Sequence, residues 1–374
     1  MARLEAILKR FREIYPGSAA PRAWRAPGRV NLIGEHTDYN LGLVMPMAIQ
    51  LECVVTAAPS SSGLLRVYSE ELASSAEWPV ANIGELRRRG DWSDRVAGVA
   101  WELSRRGATI AAQDLLISST VPLGGGLSSS AALGVAVMLA LGGPRDPLEL
   151  AQLARAAETG FVGVPVGIMD QFVAARGRAG AAILLDCGSL EFREVRLPEG
   201  IAIVAANSMV RHELGGSAYR RRVEECAEAA RVLGVKCLRE AAASRLSELA
   251  GAPLLRARHV ITENARVEEF AAAAERGDVE KMGITLIESH RSLRDDYQVS
   301  CAELDFLVET ALSVPGVLGA RMTGGGFGGS TVNLLRKEAV PALESALLEK
   351  YPEKFGWRPE IHVCIASDGA SQLL

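Results

Sequence analysis

Residues 121–131 read Val-Pro-Leu-Gly-Gly-Gly-Leu-Ser-Ser-Ser-Ala, and this stretch decides how the rest of the chain is interpreted. Three consecutive glycines lead into three serines, a residue type that often caps a helix N-terminus. The apolar run at 131–141 stops at Gly142, which predicts a buried helix. A glycine loop that feeds a helix directs free N–H groups and the positive end of the helix dipole at one point. The stretch therefore predicts a phosphate site; the alternative is a plain turn before a core helix.

The type of phosphate loop is constrained by its charge. A Walker A loop places a Lys and then a Ser or Thr after its last glycine, but no Lys occurs between residues 121 and 140. The charge of a bound phosphate must therefore be met by backbone amides, serine hydroxyls and a metal ion.

Composition narrows the class of protein. The chain has 374 residues, 48% of them hydrophobic and 23% charged, which suits a globular protein of about two domains. A net charge of −4 gives no indication of a nucleic-acid partner. The six cysteines form no C-x-x-C pair, and the sequence has neither a signal-peptide core nor an apolar run of the ~20 residues that cross a bilayer. We therefore expect a cytoplasmic protein without a nucleic-acid or membrane partner.

Hydrophobic periodicity predicts strands and helices along the whole chain. The first half has helices at 1–15, 84–107 and 147–159, strands at 44–55, 115–117, 183–185 and 192–197, and a hairpin that joins 54–58 to 64–68. The second half has helices at 215–233, 239–250, 259–276, 279–291, 301–313 and 337–350, and strands at 201–205, 317–322, 331–335 and 360–365. The pattern changes near 198–200, so we expect an α+β fold with domains at 1–195 and 196–374.

A second glycine cluster, Gly-Gly-Gly-Phe-Gly-Gly at 324–329, formally contains the G-x-G-x-x-G pattern. A dinucleotide-binding fingerprint follows a strand and opens a helix. Residues 330–335 are strand-like instead. We therefore expect a hairpin turn whose backbone packs closely against the first domain or a ligand.

Two polar features stand among apolar segments. Residues 35–38, Glu-His-Thr-Asp, concentrate donors and acceptors, as recognition of a sugar requires, because each sugar hydroxyl both donates and accepts; a solvated loop is the alternative. Asp170 lies inside the apolar stretch 167–172, where a carboxylate is costly unless it is paired. It is either a structural ion pair or a general base, with Arg29 as a candidate partner.

Three further features are weaker on their own. Glu158, at the end of a predicted helix, could be a metal ligand, although a surface helix Glu is commoner. Tyr219 precedes three arginines and could cover a ligand or anchor a helix. The polar segment 289–297 could join the domains or line the cleft, and its residues do not decide between these interpretations.

Taken together and in chain order, these segments resemble the motifs of the GHMP kinases (galacto-, homoserine, mevalonate and phosphomevalonate kinases). Residues 28–40, GRVNLIGEHTDYN, closely resemble the signature of the galactokinase family, which is the most specific match. Residues 122–131 resemble the second GHMP motif and 322–329 the third, with further matches at 157–171 and 289–297. The resemblance covers nearly the whole chain.

The resemblance implies a two-domain GHMP kinase-like fold, with an N-terminal domain of mixed sheet and helix, a C-terminal α/β sandwich and an active site in the cleft between them. It implies transfer of the γ-phosphoryl group of ATP to the C1 hydroxyl of α-D-galactose, with Mg²⁺, by a monomer or weak oligomer. Asp170 would be the base and Arg29 would stabilise charge. The other implied site residues are Glu35, His36, Thr37, Asp38, Gly167 and Tyr219 for the sugar; Ser69, Trp92, Gly124, Gly125, Gly126, Leu127, Ser128, Ser129 and Ser130 for the nucleotide; and Ser130 with Glu158 for the metal.

Two positions depart from the family pattern. Arg95 stands where many relatives have a Tyr near the adenine, which leaves the stacking of the base open. Val166 stands where many have Cys, which matters little if the backbone faces the sugar there.

Three alternatives to galactose phosphorylation remain. They are a kinase for N-acetylgalactosamine or arabinose, a homoserine or mevalonate kinase, and a non-catalytic sensor of galactose and ATP. The polar cluster at 35–40 disfavours the second. The third is disfavoured because Arg29, Ser130, Glu158 and Asp170 are all present.

Overall fold

The structure is a computed structural model that describes residues 2–211 and 215–374. The helices in this part of the chain are α1 (Ala2–Ile14), α2 (Asp94–Arg105), α3 (Ser129–Ala140), α4 (Pro147–Ala157), α5 (Met169–Arg176), α6 (Gly215–Val232), α7 (Gly251–Arg276), α8 (Val279–Ser292), α9 (Ala302–Leu312) and α10 (Val340–Phe355). The strands are β1 (Arg22–Asn31), β2 (Leu43–Val44), β3 (Pro46–Pro59), β4 (Leu64–Ser69), β5 (Ser74–Pro79), β6 (Gln113–Ser119), β7 (Ala181–Asp186), β8 (Phe192–Arg196), β9 (Ile201–Arg211), β10 (Val317–Thr323), β11 (Gly328–Arg336), β12 (Glu360–Cys364) and β13 (Ser371–Gln372).

The first sheet has the strand order β13-β1-β3-β6-β4-β5, and only β4 and β6 pair in parallel. The predicted hairpin between 54–58 and 64–68 is wrong, because β6 lies between β3 and β4. An alternation of hydrophobic and polar residues identifies a strand, but it does not identify the strand that pairs with it. The run Leu115, Leu116 and Ile117 is buried throughout, so β6 takes an inner position where both of its faces are covered.

Helix α3 packs against β1 and β3, and the glycine loop that precedes it is hydrogen-bonded to β1 through Arg29 and Leu127. It is apolar along its length, as the sequence predicts for a buried helix. The helix predicted at 84–107 is wrong at its N-terminal end, since α2 begins only at Asp94. The Asp94 carboxylate accepts the N–H groups of Arg89 and Gly90, which holds the preceding residues in a loop.

The second sheet is antiparallel, with the order β10-β11-β9-β12. The helix predicted at 239–250 is wrong. That segment contains two short 3₁₀ turns, Leu238–Glu240 and Ala243–Glu248, and the backbone is extended at Ala241 and Ala242 between them. Arg245 donates to the carbonyl of Leu233, so a tertiary contact overrides the helix propensity of this alanine-rich segment.

A third sheet has the order β2-β7-β8, and in it the predicted strands 183–185 and 192–197 pair with each other. The main hydrophobic core extends through both halves of the chain, and β13 returns the last residues to β1. The division into 1–195 and 196–374 stays a prediction. Of the helices that the structure describes, none has the length and apolarity needed to cross a membrane.

Candidate active site

Two cavities lie beside the glycine loop. The first, of about 330 Å³, contains three carboxylates, Glu35, Asp38 and Asp170, and is called the acidic cavity below. The second, of about 280 Å³, reaches the loop at Gly124, Ser129 and Ser130 and is called the loop cavity. The predicted residues Arg29, His36, Gly167 and Tyr219 also line the acidic cavity, and Ser69 and Trp92 line the loop cavity.

Asp170 joins the acidic cavity to the loop. Arg29 holds its two carboxylate oxygens in a bidentate pair, with Nε at 2.8 Å and Nη2 at 2.9 Å. The third guanidinium nitrogen donates to the carbonyl of Gly126 at 2.6 Å. The Ser128 hydroxyl donates to Asp170 at 2.5 Å, so Ser128 occupies the N-cap position of α3 without capping it. The predicted pairing of Arg29 with Asp170 is present, and the Asp170 side chain is still 28% exposed to the cavity.

The loop presents a run of free backbone donors. Among the described residues, none accepts a hydrogen bond from the six consecutive N–H groups of residues 126–131, and the first paired amide is that of Ala132. Gly124 and Gly126 have φ values of 68° and 74°, and Ser128 has 61°, a region where glycine is favoured. Free amides at the start of a helix form an anion site.

The predicted loop residues do not all face the same way. The side chain of Leu127 is buried, and its carbonyl accepts the N–H of Arg29 at 3.0 Å. The carbonyl of Gly125 accepts the hydroxyl of Ser330 on β11. These two residues, like Gly126, therefore fasten the loop to neighbouring strands, whereas Gly124, Ser129 and Ser130 line the loop cavity.

The third glycine segment turns between β10 and β11 and packs on the loop. Cβ atoms built at Gly324 and Gly329 would lie 3.4 and 3.9 Å from Gly126. A Cβ at Gly326 would collide with the backbone of Val299. The segment is thus the closely packed hairpin that the sequence predicts, and no helix follows it.

Glu35 is held by residues from the second sheet. Its Oε1 accepts hydrogen bonds from Arg321 at 2.7 Å, from the Thr323 hydroxyl at 2.9 Å and from the amide of Gly324 at 2.7 Å. Arg321 is fully buried and also lies 4.0 Å from Glu263. Although burial alone would raise it, neighbouring cations lower the pKa of Glu263 to about 2, so this carboxylate stays charged. Among the described residues, none donates to Oε2 of Glu35, which leaves this oxygen for a ligand.

Asp38 has a different environment. Burial raises the pKa of Asp38 to about 7, and the negative charges of Asp170 and Glu35 add to the rise. Gly167 packs directly against this carboxylate, and a Cβ there would collide with it. A group that exchanges its proton near neutral pH can serve as donor or acceptor to a hydroxyl.

Thr37 is placed away from the acidic cavity. It is fully buried, and its hydroxyl lies 2.8 Å from the carbonyl of Gly34 and 2.7 Å from that of Leu43. The geometry assigns this side chain to the shape of the 35–40 loop rather than to contact with a ligand.

A buried hydroxyl chain orients His36. Its Nδ1 lies 2.9 Å from the hydroxyl of Tyr39, which lies 2.6 Å from that of Tyr297, which in turn lies 3.0 Å from the thiol of Cys226. Burial lowers the pKa of His36 to about 3, so the ring is neutral at pH 7. Its Nε2 is buried and has no partner among the described residues. The ring centroids of Tyr219 and His36 lie 5.5 Å apart at the wall of the acidic cavity. The unpaired Nε2 is thus an orphaned polar atom at this wall.

Ser130 and Glu158 line one small cavity of about 10 Å³ with Arg95. Burial raises the pKa of Glu158, whereas the charge of Arg95 acts to lower it. The carboxylate accepts a hydrogen bond from Gln171 at 2.8 Å. A carboxylate and a hydroxyl are hard oxygen donors of the kind that Mg²⁺ combines with phosphates and water, so this pair fits the ion.

Sequence reasoning missed several residues of the site, among them Arg321, Glu263, Tyr297 and Thr323. Tyr297 lies at the end of the polar segment 289–297, which was left open between two interpretations. The sequence did contain a signal for Arg321. It is a charged residue inside the strand-like run 317–322, and a buried charge needs a partner.

Comparison with known proteins first identifies the class of protein to which the chain belongs. Residues 94–178 match the family described as the GHMP kinases N terminal domain, and residues 270–353 match the GHMP kinases C terminal family. A crystal structure of mevalonate kinase has the same fold, with a TM-score of 0.70 at 16% identity over 92% of this chain and 99% of that one. The chain has the GHMP kinase fold, and kinases of this class use ATP.

More specific matches narrow this class. Residues 9–59 match the galactokinase galactose-binding signature. The chain is 45% identical to a galactokinase of Chloroflexus aggregans over 99% of this chain and 98% of that protein, and 43% identical to a human galactokinase over 97% and 95%. The crystal structure of Lactococcus lactis galactokinase complexed with galactose matches with a TM-score of 0.92 at 34% identity, over 99% of this chain and 100% of that one.

The chain belongs to the galactokinase family. The fold class, the family and the sugar-kinase activity that the motifs predict are thereby confirmed.

Proposed function

We propose that this chain transfers the γ-phosphoryl group of ATP to the C1 hydroxyl of α-D-galactose and releases galactose 1-phosphate and ADP. The observation that carries the proposal is the position of Asp170. This carboxylate lines the acidic cavity and accepts a hydrogen bond from the hydroxyl of Ser128. Ser128 belongs to the loop whose free amides suit phosphate. A phosphoryl donor on the loop and an acceptor in the acidic cavity would meet at this residue.

The acidic cavity suits a monosaccharide. Oε2 of Glu35, Nε2 of neutral His36 and the carboxylate of Asp38 offer donors and acceptors for sugar hydroxyls. Tyr219 adds an aromatic wall and a hydroxyl, and Gly167 leaves room for Asp38. In this proposal these residues select the sugar.

Phosphoryl transfer depends mainly on alignment and on charge stabilisation. Asp170 accepts the proton of the C1 hydroxyl as that oxygen attacks phosphorus. Arg29 holds both oxygens of Asp170 in a bidentate pair, which fixes the direction of the base. The amides of 126–131 bind the phosphate oxygens at the N-terminus of α3. Mg²⁺, held by Ser130 and Glu158, would neutralise part of the phosphate charge.

The loop cavity suits the nucleoside. Trp92 and Ser69 line it together with apolar side chains such as Leu133. In this proposal Trp92 packs against adenine and Ser69 contacts the nucleoside. The sugar-binding signature and the catalytic Asp170 belong to residues 1–195, and Tyr219 and the third glycine motif to 196–374. We also propose a cytoplasmic monomer or weak oligomer, in keeping with six free cysteines among the described residues.

A coupled ADP-release assay with a panel of sugars tests the proposal. We expect turnover with galactose and Mg-ATP, and much less with glucose, arabinose or N-acetylgalactosamine. Faster turnover with N-acetylgalactosamine or arabinose than with galactose would show that the substrate is that sugar instead of galactose. Binding of both ligands without ADP release would mark the chain as a sensor instead of an enzyme.

A further inference from the structure

Arg95 is a cation at the edge of the loop cavity, where its charge acts on the nearby carboxylate of Glu158. It lies in the first turn of α2, and its side chain lines the loop cavity together with Gly124, Ser129 and Ser130. Among the residues that the structure describes, its guanidinium forms no ion pair within 4.0 Å, although its charge acts on Glu158. Its Nε is buried and unpaired. A partly buried charge without a partner is costly unless a ligand supplies one.

The direction of the side chain identifies the ligand chemistry. Besides the loop cavity, Arg95 lines the small cavity that contains Ser130 and Glu158. The guanidinium therefore stands between the nucleoside end of the site and the oxygens that fit Mg²⁺. Ser129 and Ser130, which share these cavities with Arg95, belong to the run 126–131 whose N–H groups are free.

We propose that Arg95 binds the phosphate chain of the nucleotide and supplies the side-chain cation that the lysine-free loop lacks. The proposal deepens the proposed function, since it rests on ATP as the donor. Guanidinium groups bind phosphate oxygens through paired, charge-assisted hydrogen bonds. The departure from an aromatic residue at this position would then replace a contact with the base by a contact with the phosphates.

Titration calorimetry of Arg95→Gln tests the assignment with ATP, ADP and adenosine, in EDTA so that no metal contributes. We expect about tenfold or greater weakening for ATP and ADP, the size of a lost charge-assisted contact, and less than a twofold change for adenosine. The ATP and ADP affinities of Arg95→Lys should lie between those of wild type and Arg95→Gln, because lysine keeps the positive charge but cannot form the paired hydrogen bonds of a guanidinium. Arg105→Gln is the matched control: Arg105 lies at the other end of α2, its side chain is 59% exposed and it lies near Glu102, so all three affinities should stay unchanged.

Equal weakening for adenosine and ATP would overturn the proposal, because Arg95 would then contact the base. Unchanged affinities for ATP and ADP in a folded Arg95→Gln variant would overturn it as well. If wild type phosphorylates galactose while Arg95→Gln keeps its ATP affinity, only the role of Arg95 fails. If wild type binds no ATP, the proposed function fails with it.

Discussion

The loop cavity and the acidic cavity differ in the groups that they offer to a ligand. The loop cavity adjoins backbone N–H groups that are consecutive in the chain, from residue 126 to 131. The acidic cavity depends on side chains, and Glu35 receives its partners from β10, almost 290 residues further along. Backbone donors are part of the main chain and are present whatever the side chains of the loop are, whereas a buried carboxylate keeps its position only if distant partners hold it. Substitutions around the acidic cavity should therefore have larger effects than those around the loop cavity.

The largest effect should come from Asp170, where the two cavities meet. Asp170→Asn removes the proton acceptor and keeps the shape of the side chain, so kcat should fall by about 10²–10⁴-fold. Affinity for ATP should stay near that of wild type, because the amides that we assign to phosphate are unchanged. Steady-state kinetics and calorimetry measure both quantities. Wild-type turnover from the folded variant would remove Asp170 from the reaction.

The next effect concerns the buried pair behind the acidic cavity. Arg321→Met removes the cationic partner of buried Glu35, so the free energy of unfolding should fall by about 3–5 kcal/mol, measured by urea denaturation. The control is Arg336→Met on the neighbouring strand. Its pair with Glu280 is exposed by 51% and 60% and should contribute less than about 1 kcal/mol. Equal losses in the two variants would show that the buried pair does not hold Glu35.

A third effect tests selection of the sugar. Asp38→Ala removes a polar partner from the cavity, so the KM for galactose should rise by about tenfold or more. The KM for ATP should change little, because Asp38 does not line the loop cavity. Glu35→Ala should raise the galactose KM in the same direction. An unchanged galactose KM in both variants would separate this cavity from the substrate.

The smallest effect is the dependence of stability on pH. Since burial raises the pKa of Asp38 to about 7, the folded protein binds a proton that the unfolded chain releases near pH 4. The contribution of Asp38 to stability therefore falls as pH rises from about 4 to 7. Asp38→Asn lacks this loss, so its unfolding temperature should exceed that of wild type by an amount that grows over this interval and is constant above it. A difference that does not vary with pH would contradict the assignment.

The same contrast explains how much the sequence could predict. The glycine loop and α3 follow from consecutive residues whose hydrogen-bonding needs are local. The cost of burying Asp170 predicted that it has a partner, and the candidate, Arg29, is the residue that the structure pairs with it. The partners of Glu35 depend on how β10 packs against the 35–40 loop, which no local pattern specifies. The order of β3, β6 and β4 was missed for the same reason. Thr37 was predicted to face the sugar, since a motif does not tell which of its side chains support the others.

The crystal structure of a ternary complex with galactose and a non-hydrolysable ATP analogue tests the central claim most directly. The C1 hydroxyl of galactose should lie within about 2.6–3.2 Å of an Asp170 carboxylate oxygen. The phosphates of the analogue should contact the amides of 126–131. A sugar whose C1 hydroxyl is beyond hydrogen-bond reach of Asp170, or phosphates bound away from these amides, would contradict the account.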